Sequence, residues 1–160
     1  MFKHILCPID GSLGSLEALD VAAKLAAEQH AALTICMVVD PSQAAAMAFG
    51  DPGMSGACLD ALDEEAAQVV HDAALRVAAT SSASTATVTG QPVTSIVDYA
   101  NSNACDLIVM GSHGRGGIQR ALIGSIAEGV LRHASIPVMV IRWSERHEKA
   151  RPEKEAAAAP

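Results

Sequence analysis

Hydrophobic residues along this chain fall in short unbroken runs, separated by longer segments in which they recur every three or four positions. Residues 2–9, 33–39, 105–111 and 136–142 are runs of strand length, rich in Val, Ile, Leu and Cys. Pro8 is compatible with the first of them because it stands at the strand's end. Residues 84–90 alternate polar and small apolar side chains, the pattern of a half-exposed edge strand. Between the runs lie helical periodicities. One starts from a cap at Ser12 or Ser15, reaches about residue 30 and carries Leu16, Leu19, Ala23 and Ala26 on one stripe. A second, over 59–79, places Leu62, Ala66, Val69, Val70, Ala73 and Val77 inward. Shorter helices are predicted over 92–103, with Pro92 near the start, and over 125–134. Residues 41–57 contain Pro41, Gly50, Pro52, Gly53 and Gly56 and read as a flexible loop or lid.

The predicted order is therefore βαβαβαβαβ. Continuous apolar strands alternating with helices imply an α/β fold, one open parallel sheet of five strands with helices on both faces. At 160 residues the chain is read as a single domain, 1–143, followed by a mobile, charged and alanine-rich tail, 144–160.

The most informative chemistry sits after the fourth predicted strand. Gly111-Ser-His-Gly114 is followed, nine residues on, by Gly124-Ser125 at the start of a predicted helix. A strand, a glycine-rich loop and a helix N-terminus make an anion cradle, because glycines admit close backbone approach and the helix's first N–H groups are unpaired. The ligand expected there carries phosphate. Two other phosphate loops do not fit. Gly117 stands where a Walker loop counted from Gly111 needs lysine, and Asp10-Gly11-Ser12-Leu13-Gly14 does not give the dinucleotide pattern after the first strand.

The spacing G-x2-G-x9-G-[S/T] resembles the nucleotide loop of the universal stress protein family, in its ATP-binding branch. The opening residues 3–12, Val38-Val39-Asp40, Gly90-Gln-Pro92 and the closing run 136–141 extend the resemblance over about residues 2–142. It implies a Rossmann-like, adenine nucleotide alpha hydrolase-like sheet of order 3-2-1-4-5, in which the turns after strands 1 and 4 meet at one crevice. It implies a contact set of Pro8, Asp10, Val38, Met110, Gly111, His113, Gly114, Arg115, Gly124, Ser125 and Ile126. In that set Val38 pairs with the adenine edge through its backbone. Asp10 orients ribose or a metal-bound water, or accepts N–H bonds from its own turn. The implied cofactors are ATP, or AMP or ADP, with Mg²⁺ carried by the phosphates and no direct metal ligand. The implied role is a stress-response regulator that dimerises through residues 136–142 and is read by an unidentified protein partner. A slow Mg-dependent ATPase, a receptor for AMP or cyclic AMP, and a nucleotide-free adaptor dimer stand as alternatives.

Composition narrows these classes. Half the residues are hydrophobic but only 2% are aromatic, so the core is expected to be aliphatic. A net charge of −7 opposes nonspecific binding to nucleic acid or anionic membrane, leaving phosphate affinity to loop N–H groups and to Arg115 or Arg120. No apolar run reaches the roughly 18 residues of a membrane span, and a cytoplasmic protein is expected. The four cysteines form no C-x-x-C pair, and the six histidines form no H-x-H or H-E-x-x-H, so no transition-metal site is expected. His113 has no Asp or Glu near it in sequence to orient it, so no catalytic residue is assigned and a dedicated enzyme is not expected.

Overall fold

A computed structural model of the chain describes residues 1–49, 51–114 and 123–142. The predicted tail lies outside the described residues, as do Arg115 and Arg120. The elements are β1 (His4–Pro8), α1 (Leu13–Gln29), β2 (Ala32–Val39), α2 (Pro41–Met47) and α3 (Pro52–Val77). After them come β3 (Ala83–Thr89), α4 (Pro92–Ser102), β4 (Leu107–Gly111), α5 (Ser125–His133) and β5 (Val138–Ile141). All strand pairs are parallel and the sheet order is β3-β2-β1-β4-β5, the order implied by the family resemblance.

Period-two alternation sends each central strand's side chains to both faces, and both are buried. Ile5, Cys7 and Ile9 of the first strand segment, with Leu33, Ile35, Leu107 and Val109, meet α1 and α3 on one face. Leu6, Cys36, Ile108 and Met110 meet α4 and α5 on the other. α1 packs closely because its inner stripe is small: Ala18, Ala22, Ala23 and Ala26 are buried with Leu19. β3 lies at the sheet edge with alternating exposure, as its sequence pattern predicts.

Residues 41–47 and 52–57, predicted as part of a flexible loop, are helical. Asp40 and Asp51 are each followed by proline, and each carboxylate caps a helix, accepting the N–H of Ser42 at 2.9 Å and of Gly53 at 2.8 Å. Proline at the first helical position has no N–H to satisfy and a φ already suited to the helix. Pro41, Pro52 and Gly53, which read as breakers, therefore stand at helix starts, and α3 begins well before the predicted residue 59.

At the opposite end of the sheet Asp106 ties β1 to β4. It accepts the N–H groups of Lys3 at 2.8 Å and His4 at 3.0 Å. Partial desolvation pushes its pKa up, but those two bonds outweigh it and hold the carboxyl below its ordinary value. A depressed folded-state pKa contributes stability above the unfolded value, about 3.9, that is lost as pH falls through the folded one. Urea titrations of the wild type and Asp106→Asn should therefore show a stability gap at pH 7 that closes below about pH 4. A gap constant from pH 7 to 2.5 would contradict this account of the β1–β4 tie.

Candidate functional site

The site forms where successive helices change faces. α1 leaves β1 on one face of the sheet and α5 follows β4 on the other. A crevice opens at the carboxyl ends of these adjacent strands, as it must when neighbouring connections diverge. It is a cavity of about 550 Å³.

On the β1 side the chain turns through Asp10-Gly11-Ser12, with Gly11 at φ 78°, a conformation that favours glycine. Asp10 Oδ1 accepts the Ser12 N–H at 3.1 Å and the Ser12 hydroxyl at 2.6 Å. Ser12 then caps α1 by accepting the Ser15 N–H at 3.3 Å. The turn role weighed for Asp10 is thus present in the geometry.

The β4 side is different. Gly111 ends the strand so close to α1 that a Cβ there would stand 2.9 Å from Gly14 O and 3.1 Å from Ser15 N. Past it, a Cβ on Gly114 would overlap the Asp10 carboxylate, so the two turns touch. The Gly124 N–H donates to Ser112 O at 2.7 Å and brings the start of α5 back to the end of β4. Gly124 is the N-cap and offers no side-chain acceptor. The N–H groups of Ser125, Ile126 and Ala127 therefore have no partner within the helix, and Glu128 N–H is the first to bond back, to Gly124 O at 2.9 Å. α4 also lacks a side-chain cap, and its Pro92 and Ile96 line the same cavity.

His113 lies between these parts. Its Nδ1 is 3.1 Å from the Ser112 hydroxyl, and its Nε2 is buried without a hydrogen-bond partner among the described residues. A buried polar atom left unpaired costs about 1–3 kcal/mol. The bond found for the ring is thus to a hydroxyl, that of Ser112.

All the sequence-derived contact residues except Arg115 line this cavity: Pro8, Asp10, Val38, Met110, Gly111, His113, Gly114, Gly124, Ser125 and Ile126. Arg115 lies outside the described residues. Sequence reasoning missed Ile9, Ser15, Met37, Gln43, Ser112 and Ile123, among others. Met37 and Ser112 adjoin residues that were found. Gln43 carried no motif, and its only signal was the Asp40-Pro41 helix start two residues before it.

Residues 1–142 match the model of the universal stress protein family. The chain belongs to this family. It is 35% identical over 143 residues to universal stress protein MJ0531 of Methanocaldococcus jannaschii, covering 89% of this chain and 83% of that protein. Among solved structures, universal stress protein UspA from Lactobacillus plantarum superposes with a TM-score of 0.77 at 33% identity, over 88% of this chain and 97% of that one. A universal stress protein solved in complex with cAMP superposes at 0.64 with 26% identity, over 89% of this chain and 98% of that one. No described helix of this family member is long and apolar enough to cross a membrane.

Three of the four thiols, Cys7, Cys36 and Cys105, are buried and are not candidates for nucleophilic chemistry. Burial, aided by Cys36 and Asp20, pushes the Cys7 thiol far up. Burial also raises Cys36 to about 12 and Cys105 to about 11. Only Cys58, on α3, is half-buried. A thiol reagent at pH 8 should modify Cys58 alone in the native protein and all four cysteines after unfolding; fast native modification of a second thiol would contradict the packing. Gly111→Ala should cost about 1–3 kcal/mol of stability, seen as a lower urea midpoint, because the obstructing atoms are backbone. A midpoint equal to wild type would show that α1 and β4 can separate freely.

Proposed function

We propose that this universal stress protein binds an adenine nucleotide in the β1–β4 crevice and acts as a nucleotide-dependent regulator. One observation carries the reading: the uncapped N-terminus of α5, the Gly111–Gly114 turn and the unpartnered Nε2 of His113 belong to one cavity. Those groups are hydrogen-bond donors or can become donors, and an anion satisfies them together. Hydrogen bonds to a charged group contribute roughly 1.5–3 kcal/mol each, so a few of them hold a phosphate against the chain's net charge of −7. The apolar walls supplied by Ile9, Met37, Val38 and Ile96 suit a base. The related universal stress protein solved with cAMP supports a ligand with an adenine base.

Among the described residues no group of three or more His, Cys, Asp or Glu side chains is placed to hold a metal. Mg²⁺ would therefore arrive on the phosphates, with Asp10 near enough to the Gly114 turn to face its water shell. The cradle of backbone donors supports binding, and turnover stands as the alternative. The same reading includes a homodimer through β5, an edge strand whose Met139 is 37% exposed.

Calorimetric titration with ATP, with and without Mg²⁺, should give saturable binding near one site per chain. Gly114→Val places bulk against the Asp10 carboxylate, and Gly124→Val places it 3.1 Å from Ser112 O. Both should abolish binding while leaving the circular dichroism spectrum near wild type. No heat from wild type at millimolar ATP would overturn the nucleotide reading, and normal binding by the Val variants would move the phosphate site elsewhere.

A further inference from the structure

Ser112 is one of three buried polar side chains among the described residues, and it directly follows the end of β4. Its backbone is held on both sides: its N–H donates to Ile141 O at 2.8 Å, and its carbonyl accepts the Gly124 N–H at 2.7 Å. The hydroxyl therefore has a fixed place, with 3% of the residue exposed. Its hydrogen bond among the described residues is the one with His113 Nδ1, at 3.1 Å. The far edge of that ring lies beside the start of α5: a Cβ on Gly124 would stand 3.8 Å from His113 Cδ2, the carbon bonded to Nε2. Nε2 itself is buried there without a partner among the described residues.

A neutral imidazole carries one proton, and the bond made by one nitrogen decides which of the two holds it. With the proton on Nδ1, the ring donates to the Ser112 oxygen. The hydroxyl proton then has no acceptor among the described residues and Nε2 is a bare acceptor, so two buried polar groups go unpaired. With the proton on Nε2, the hydroxyl donates to Nδ1, and the Nε2–H group alone is left unpaired. Both arrangements make one hydrogen bond, so the one that leaves fewer buried groups unpaired is favoured.

We propose that Ser112 is a positioning residue for the anion site, an inference that rests on the nucleotide reading above. Its hydroxyl donates to Nδ1 and so keeps the ring proton on Nε2. There the neutral ring presents an N–H to phosphate beside the start of α5, whose Ser125, Ile126 and Ala127 line the same cavity. The opposite tautomer would turn a lone pair toward the anion, and the same ring would then oppose binding. The hydroxyl, bonded within the turn, thereby sets the sign of the contact made by its neighbour.

Long-range ¹⁵N–¹H correlation spectra of the full chain, labelled at the histidine nitrogens, read the tautomer directly at about pH 8, where a free imidazole is neutral. The His113 signals are those missing from His113→Ala. Wild type without nucleotide should show Nδ1 bare and Nε2 protonated, and Ser112→Ala should raise the share of the Nδ1–H form. A proton on Nδ1 in the wild type, or a ratio unchanged in Ser112→Ala, overturns the proposal. The consequence for binding is read by titrating wild type, Ser112→Ala, His113→Ala and the double variant with ATP and Mg²⁺. Ser112→Ala should weaken binding by up to about ten-fold, the scale of one net hydrogen bond, and should cost nothing further once residue 113 is alanine. An equal loss in both backgrounds overturns the positioning role, since a purely structural effect of Ser112 does not need the ring. Failure of the wild type to bind ATP overturns the nucleotide reading and the donor role with it, whereas the tautomer, read without nucleotide, stands or falls separately.

Discussion

The close approach of β4 to the start of α1 governs the rest of this molecule. The strand order puts β4 beside β1, while the helices after these two strands must cover opposite faces. At that divide the end of β4 runs against the first turn of α1, with Gly111 where any Cβ would meet Gly14 O and Ser15 N. Separating the two would lift Ala18, Leu19 and Ala22 from one face of the sheet. The core has few large side chains to compensate, since only 2% of residues are aromatic. A buried Leu, Ile or Val contributes about 1.5–3 kcal/mol and a buried methyl less, so stability is assembled from many small contacts that need tight spacing. The constraint that keeps α1 on its sheet is also the one that brings the Asp10 turn against Gly114.

Local electrostatics then follow from how each helix is capped. α1 satisfies its own first turn with the Ser12 hydroxyl, and α2 and α3 do so with aspartates. α4 and α5 have no side-chain cap, and those two start at the cavity. An uncapped helix start favours negative charge by about 0.3–1 kcal/mol from its dipole, beyond the hydrogen bonds its N–H groups donate. Two such ends in one crevice would, on the nucleotide reading, let an acidic protein favour an anion locally. Long-range attraction is not required, and the net charge selects against broad polyanions.

Most of the fold and the glycine-lined end of the cavity were legible in the sequence. Buried strands announce themselves as apolar runs, and Gly111, Gly114, Gly124 and Ser125 keep a spacing that a simple strand-to-helix turn does not require. Residues 41–57 were not legible because Pro41, Pro52 and Gly53 were weighed as breakers, whereas Asp-Pro at a helix start is a capping arrangement. That misreading hid Gln43 as well, since a residue in a loop has no defined direction. Pro92 and Ile96 were hidden for another reason: they reach the cavity only because α4, which follows β3, crosses the β2–β1 face toward α5. Such placement is a property of the sheet order and not of any local pattern.

α2 occupies an energetic position unlike that of the other helices. It is seven residues long and buries Ala44, with Ala48 just past its end, while Met47 and Phe49 stand exposed. Methyl burial of this kind contributes about 0.8 kcal/mol per group, comparable with the 0.5–1.5 kcal/mol of a net hydrogen bond. A contact between a crevice ligand and α2, whose Gln43 lines the cavity, would therefore be as large as those already holding α2 to the domain. The helices flanking the sheet are held by whole stripes of side chains, and one further contact changes little there. On the nucleotide reading, occupancy of the crevice would bear most on α2, whose outer residues are the exposed Met47 and the neighbouring Phe49. Differential contact of that kind is the thermodynamic requirement for a bound ligand to alter what a partner meets at the surface.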